Sequence, residues 1–561
     1  MRKLLSAACM VLLCASTGYA AGTLSGTVKG PDGAAFRGAF IRAQHIKTKV
    51  TTSVLSDKEG KYWVDLAPGE YNVWVQSVGF KSDPARLTGI KVADAEMVPV
   101  NFAMQPSAVQ WSQLTKFQGA YLLPPGPNRD VVRDQCFSCH GMGKIGSVGR
   151  PDKTGWLDAI AMMPKLGGPT VRPEVANKVS DYFAAVFGPD SETPLSPAKL
   201  PDYQKIKQEH DYFSDDALKA VYVDYSLADS GDPGDRPGTG YPDKFGNVWM
   251  EMEGGLAKLN PVSGELKVFR LAEPNRHAGI HEVMPTADGS SVWLTVSGQN
   301  AFVRFDVKTE TFDPVLKDEY NGPIVPQQEP NTPWPELRKS PGGQGGAPRT
   351  HTSIMDLDGN IWGSGRPLKK LDVKTGKWTN FQDVPDTYGI SLDKQGNVWF
   401  AEFNSRDHWN IGKVDPKTNK VTKYEPPDAE VGRPRRMKID SQGNVWFGQY
   451  FDGAIAKFDP KTEKFTQYKL PGSMPTVYGL GMDASDNVWY ASMYTDVIGR
   501  IEPKTGKITE FPSPYGERAT RDMWPDAQGR IYFGNQPYRS IGSIWVRPDN
   551  AKPAATKGTG N

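Results

Sequence analysis

The alternation of apolar and polar positions changes character twice along the chain. From Leu24 to about Met104 the apolar residues alternate over short runs, as in Tyr62, Val64 and Leu66 or Tyr71, Val73 and Val75. Turns at Pro31-Asp32-Gly33, Asp57-Lys58-Glu59-Gly60 and Pro68-Gly69 break these runs. Period-two alternation between such turns predicts the short strands of a two-sheet sandwich. From Trp111 to about Asp190 the spacing becomes helical. Asp130–Gln135 is one helix; Thr154 caps another, which runs on to Met163 and is stopped near Pro164. A third, from Pro173 or Glu174 to Phe187, places Val175, Val179, Phe183 and Val186 on one face.

Beyond a Pro-rich passage from Asp190 to about Pro201, self-similarity dominates. The tetrapeptide Gly-Asn-Val-Trp recurs with variations at Gly246–Trp249, Ser290–Trp293, Gly359–Trp362, Gly396–Trp399, Gly443–Trp446, Asp486–Trp489 and Gly529–Tyr532. A second turn follows all copies but the last, at Asn260-Pro261, Asp306-Val307, Asp372-Val373, Asp415-Pro416, Asp459-Pro460 and Glu502-Pro503. Seven units of about 40 residues, each with about four strands, predict a β-propeller. The seventh copy lacks its outermost strand, and Lys219–Leu227 reads like that strand, so this earlier segment is expected to close the ring and remove its open edges. The expected organisation is multidomain and mainly β. It comprises a signal peptide (1–20), an Ig-like β-sandwich (23–105), a small α-helical module (111–190), a linker (191–218), a seven-bladed propeller (219–546) and a flexible tail (547–561).

Composition narrows the compartment. Arg2-Lys3, an apolar run from Leu4 to Leu13 and small residues up to Ala20-Ala21 read as a secretory signal cleaved after Ala20. No later stretch has the apolar length of a membrane span. Of the four cysteines, Cys9 and Cys14 leave with the signal, so no cysteine remains for a structural disulfide beyond the pair Cys136 and Cys139. With 66 Lys and Arg against 64 Asp and Glu, nothing suggests a basic face for nucleic acid or anionic lipid.

That remaining pair carries chemistry. Cys136-Phe137-Ser138-Cys139-His140 reads C-x-x-C-H, the spacing of covalent haem c attachment. Two thiols form thioethers to the haem vinyl groups, and His140 offers an imidazole nitrogen to the iron as its proximal ligand. A redox dithiol or half a zinc site has no need of the trailing His, and no second Cys pair completes a zinc site. Haem c together with a signal peptide points to the periplasm. The module is similar to the small cytochrome c modules of exported quinohaem and related enzymes, in which a Trp at a helix start is followed seven residues later by a Met. Trp156 and Met163 hold those positions here. The resemblance implies Met163 as second axial ligand, its thioether raising the potential. Met162 and Met142 are the other thioethers nearby, and ordinary core packing is the alternative for all of them.

In each propeller unit the innermost strand should run down to an Asp-x-x-Gly turn and the next strand return from the Trp. The residue eleven before the Trp and one about three after it then meet at the same end of the ring. That register holds His351, Tyr388, Arg435, Tyr478 and Arg521, with His281 in blade two, whose turn is one residue longer, and Gly238 in blade one. This set exceeds what solvated strand ends require. The Arg pair suits an anionic or carboxylated small molecule, and a His or Tyr suits a base. The long connection from Asp318 to Arg349 has the length of a lid or binding loop. Glu402 and Asp407-His408-Trp409 are expected at the same face.

Over roughly 219–546 the repeat resembles the virginiamycin B lyase (streptogramin lyase) family of seven-bladed propellers. Ser56–Tyr62, Leu66–Tyr71 and Gly79-Phe80 resemble the carboxypeptidase regulatory-like (transthyretin-like) domain, a spacer or binding module. The lyase family opens a depsipeptide ring with a His on one blade and, on the next, a Glu-x-His motif and a Glu three past the Trp, around magnesium. His281 and His351 match the His pair. Arg349 stands in the Glu-x-His position, Gly365 stands at plus three and Glu402 lies one blade away, so the acids do not follow. The combination is read as an exported electron-transfer protein, a periplasmic oxidoreductase whose propeller binds substrate and whose haem accepts electrons. A periplasmic redox partner, a cytochrome or similar, is implied. The alternatives are a non-enzymatic carrier or sensor with the propeller as docking platform, and a lyase with an appended haem. A further metal such as copper would be drawn to His277, His281, His351 and His408.

Overall fold

The computed structural model describes residues 21–137, 141–163, 171–192, 194–209, 214–275, 279–320, 348–403, 409–427, 432–472, 476–516 and 520–555. Seven antiparallel sheets of at least four strands succeed one another from Tyr241 to Val546. The innermost strand of each touches that of the next, and the first touches the last, so the sheets form a closed propeller. Blade seven is ordered Met523–Pro525, Ile531–Asn535, Ser540–Val546 and Ala220–Ser226. The early strand Ala220–Ser226 pairs along the whole of Ser540–Val546 and supplies what the seventh repeat lacks.

The repeated tetrapeptide is one part of a larger hydrogen-bonded turn. Asp243, Asp356, Asp393, Asp440 and Asp483 each stand six residues before a Trp. One carboxylate oxygen accepts the backbone N–H groups two and four residues on. The other accepts the Asn amide and, at 2.8–2.9 Å, the Trp indole N–H. A large ring can then be buried between blades with its one donor satisfied, as Trp362, Trp399 and Trp446 are. Asp526 keeps the backbone half of the turn in blade seven, where Tyr532 replaces the Trp.

The amino-terminal residues form two sheets over a core that includes Leu24, Ile41, Val54, Val64 and Val73. One edge of this sandwich is not exposed. Thr51–Leu55 pairs with Ala220–Ser226, Val54 opposite Val221, so one eight-stranded sheet runs from blade seven into the sandwich. Each module covers the other's unpaired edge. The segment after Val546, expected as a tail, lies against the sandwich as far as Ala555. Arg547 donates to the Trp63 carbonyl at 2.9 Å, and the buried Ala555 donates its N–H to Thr23 Oγ.

Between sandwich and propeller lie helices α1 (Lys116–Tyr121), α2 (Arg129–Cys136), α3 (Met142–Gly146), α4 (Lys153–Ala161) and α5 (Pro173–Phe187). Their common core contains Val132, Phe137, Trp156, Ile160, Val179 and Phe183. The cap of α4 is Asp152, whose carboxylate accepts the Gly155 N–H at 2.9 Å, and not Thr154, because the helix begins two residues earlier. The module docks on blade six through α1. Lys116 Nζ meets Asp496 at 3.1 Å with both side chains buried, and Phe117 N–H donates to the Tyr494 carbonyl at 3.0 Å. The expected linker contains a further helix, Tyr203–Glu209, packed through Tyr203 and Ile206 against Phe117.

Two stability effects are expected from denaturant unfolding of the full chain. Asp440→Ala strands the Trp446 indole N–H and loosens its turn, so it should cost about 2–4 kcal/mol, with Asp526→Ala costing less because no indole depends on it. Lys116→Met takes the ammonium away from the buried Asp496 carboxylate, which keeps the Lys116 backbone N–H as a donor, and should cost about 3–5 kcal/mol.

Candidate functional site

The structure brings the residues of the minus-eleven register together. The His281 and His351 rings lie 3.8 Å apart, and His351 lies 4.1 Å from the Tyr388 ring. Tyr388 and Tyr478 share a hydroxyl contact of 3.1 Å, and Arg435 Nη2 donates to Tyr388 Oη at 2.8 Å. The Arg435 guanidinium sits within 3.8–4.6 Å of the Tyr388, Phe403, Tyr450 and Tyr478 rings, a cage that stabilises the cation. Arg521 closes the circle, 4.0 Å from Glu251 of blade one. Blade one offers only Gly238 at this register because the Arg521 arm fills the space: a Cβ on Gly238 would lie 2.3 Å from Arg521 Cδ.

The innermost strands do not alternate strictly at this end. In blades two, three, five and six they carry bulges, at His281, at His351-Thr352, at Arg435-Arg436 and at Tyr478. A bulge re-aims side chains, and it turns a second ring of residues inward, each one position beyond the first. Arg436 Nη1 donates to Thr352 Oγ at 2.7 Å, and His351 Nδ1 lies 2.9 Å from the same oxygen. Asp522 is 3.8 Å from Arg436 and 3.2 Å from Lys438, whose ammonium stands 3.3 Å from the Trp524 ring centroid. Sequence reasoning missed Glu282, Thr352, Arg436, Lys438 and Asp522. Strict alternation turns the residue after a channel residue away, and at Glu282, Thr352 and Arg436 a bulge undoes that.

The field in this space is positive. Burial and the Arg521, Arg436 and Arg349 cations push the His281 imidazole well below its usual range, and burial, His281 and the same cations do so for His351. Both rings are therefore neutral. Burial pushes the Glu282 carboxyl up to about 8 despite Arg436. Burial also raises the Tyr388 phenol, but Arg435 and Arg436 outweigh it and bring the group down to about 8. Opposite Arg349 stands Arg366, lowered to about 10 by burial and by Arg349.

The acids of the lyase arrangement are absent from these positions for a steric reason as well as a chemical one. Gly365 has a φ of +135°, and a Cβ there would lie 2.1 Å from the Arg349 carbonyl oxygen. Glu402 does not join the ring; its carboxylate is buried within blade four, 2.8 Å from Lys423 and 2.9 Å from Asn410 Nδ2. Among the described residues no three His, Cys, Asp or Glu side chains gather as a metal-binding group. His277, Asp407 and His408 lie outside the described residues.

For the haem-attachment sequence, Cys136 ends α2 and packs, partly exposed, against the helical core. Cys139 and His140 lie outside the described residues. Met163 packs against the same core, Met142 is buried within it and Met162 is 44% exposed. Trp156, stacked on Phe183 at 4.6 Å, has its indole nitrogen buried without a partner among the described residues. An indole N–H in that position wants an acceptor, and a porphyrin carboxylate is one. The residues present fit a haem: a thiol at the rim of an apolar core, a thioether on that core and a buried donor without a partner among the described residues.

Two family models match. Residues 373–552 match the virginiamycin B lyase family, a span that contains Tyr388, Arg435, Tyr478 and Arg521 but neither His281 nor His351. Residues 23–105 match the carboxypeptidase regulatory-like domain. A streptogramin B lyase structure is 18% identical, covering 60% of this chain and 100% of its own, with a TM-score of 0.49. Virginiamycin B lyase from Staphylococcus aureus is 15% identical, covering 58% of this chain and 99% of its own, with a TM-score of 0.47. No curated protein matches the chain.

The Tyr388 environment has a spectroscopic consequence. An ultraviolet titration of the full chain should show one phenolate forming near pH 8, lost in Tyr388→Phe and moved upward in Arg435→Gln. Because the folded phenol ionises below the unfolded one, its contribution to stability is complete above about pH 10 and gone below about pH 8.

Proposed function

We propose that this chain is an exported electron-transfer protein, a periplasmic oxidoreductase. Cys136 and Cys139 hold a covalent haem c, with His140 and Met163 on the iron, and the propeller mouth binds a small anionic substrate. A haem held there supplies one-electron redox chemistry. The chain's own residues do the rest. Arg435, Arg436 and Arg521 attract and orient an anion, the neutral His pair and the acidified Tyr388 are placed to take up a proton, and the aromatic cage keeps Arg435 charged.

One observation above all supports joining the two halves. The Met493-Tyr494 segment that receives the helical module is bonded to the start of the strand bearing Tyr478. Met493 N–H donates to the Thr476 carbonyl and Tyr494 N–H to Thr476 Oγ, both at 3.0 Å. Side chains continue the connection. The Tyr478 and Tyr450 rings are 6.3 Å apart, Tyr450 Oη reaches Met493 Sδ at 3.9 Å, and the Tyr494 ring is 6.0 Å from Phe117 of α1. Tyr494 also packs against the core that carries Cys136. The lyase alternative gains no carboxylate at the Arg349 and Gly365 positions, and a lyase has no use for a haem.

Full-length protein secreted by cells competent in cytochrome maturation is expected to carry haem that survives denaturing electrophoresis and disappears in Cys136→Ala/Cys139→Ala. Under anaerobic conditions a panel of small organic acids should include one that reduces it, and Arg435→Gln should slow that reduction. Colourless protein with both thiols open to alkylation would overturn the proposal. Haem that no compound reduces, but that exchanges electrons rapidly with a partner cytochrome, would reassign the chain as a carrier.

A further inference from the structure

Arg436 belongs to blade five, yet its guanidinium reaches Thr352 of blade three at 2.7 Å, Asp522 of blade seven at 3.8 Å and the Tyr388 ring of blade four at 5.1 Å. Only a side chain lying across the channel meets three other blades. It is 2% exposed, and its Nε and Nη2 have no partner among the described residues. Those two nitrogens form one edge of the guanidinium, the parallel pair of donors that matches the two oxygens of a carboxylate.

Two further buried atoms on blade two lack partners among the described residues: His281 Nδ1 and Glu282 Oε2. The His281 ring also hydrogen-bonds the His351 backbone, and we assign that bond and the ring proton to Nε2 because Nδ1 is the nitrogen without a partner among the described residues. Nδ1 therefore presents a lone pair and calls for a donor, which a simple carboxylate does not have. Thr352 ties the group together, since it contacts Arg436, His351 and Glu282. Buried polar atoms left alone are costly, and the residues that carry these are grouped about Thr352, with the His281 ring 3.8 Å from His351, the arrangement of a ligand site.

We propose that the channel binds a small hydroxycarboxylate at this second ring, its carboxylate on the Arg436 edge and its hydroxyl proton directed to His281 Nδ1. The charges agree. Arg349, Arg436, Arg521 and Lys438 face Asp522 and Glu251, and Glu251 is already bonded to Gly238 N–H and Thr239 Oγ. The identification of this ligand as the substrate rests on the function proposed above; the binding itself does not.

Calorimetry on the full-length protein and on its haem-free Cys136→Ala/Cys139→Ala form tests this. The probes are lactate against propionate and 4-hydroxybenzoate against benzoate, with phosphate and sulfate, all relative to chloride at matched ionic strength. At least one hydroxy acid should bind with 1:1 saturation in both forms, about tenfold or more tighter than its deoxy partner. His281→Phe should bring the pair to equal affinity. Arg436→Lys, which keeps the charge and loses the fork, should weaken all carboxylates about tenfold while far-ultraviolet circular dichroism shows the chain still folded. Equal affinities for each pair in the unmodified protein, a preference for phosphate or sulfate, or no saturation beyond chloride would overturn the proposal. Binding that persists while every haem stays oxidised would sink the substrate role alone. Reduction of the haem by a compound without a carboxylate, with no hydroxy acid binding, would sink this inference alone.

Discussion

The molecule depends on one carboxylate used repeatedly. In five blades an Asp closes the first hairpin turn with one oxygen and holds the Trp indole with the other. The bond to the indole turns a ring that would prefer a wet edge into one that can be buried between sheets. Because the same Asp also takes the backbone N–H groups of the turn, the Trp position and the start of the second strand are set together. Every residue counted back from that Trp along the innermost strand thereby acquires a defined height in the channel. The channel mouth is thus a consequence of turns at the opposite end of the hairpins.

Placement between modules relies on two different devices. The sandwich shares a sheet with blade seven, so its position follows from backbone ladder bonds between Thr51–Leu55 and Ala220–Ser226. The helical module is held instead by a buried charge pair, Lys116 with Asp496, and by the Tyr494 contacts. A buried ion pair is a poor source of net stability but a strict one in geometry, since a displaced partner leaves a charge stranded in an apolar contact. For a module that must sit at a set position relative to blade six, that strictness matters more than the free energy gained.

Much of this was legible in the chain because the repeat encodes its own register. The ring, its early closing strand and the channel residues from His281 to Arg521 all follow from counting relative to the Trp. Arg436 and Thr352 were not legible, because a one-residue bulge leaves no mark on an alternating pattern and yet reverses which way the next side chain points. Gly365 could be seen to depart from the lyase pattern, but the reason, backbone closeness to Arg349, needed the strand pair. The union of sandwich and blade seven also escaped the sequence, since an edge strand's partner is decided by which other edge is near. Asp152 in place of Thr154 as the α4 cap is a smaller case: both residue types can cap, and the choice depends on where the helix begins.

The channel keeps costly features that a purely structural ring would not retain. Taking several guanidinium and ammonium groups out of water is unfavourable unless each is paired, and among the described residues only part of the charge is answered, by Asp522 and Glu251. Blades four and six place glycine at the second-ring position, Gly389 and Gly479, so the fold can close with nothing charged there. Blades five and two carry Arg436 and Glu282 instead, with bulges at the points where regular pairing would have turned a side chain away. The aromatic cage around Arg435 points the same way. It preserves the cation without supplying an anion, which leaves the positive field of the mouth intact for a ligand that brings its own negative charge.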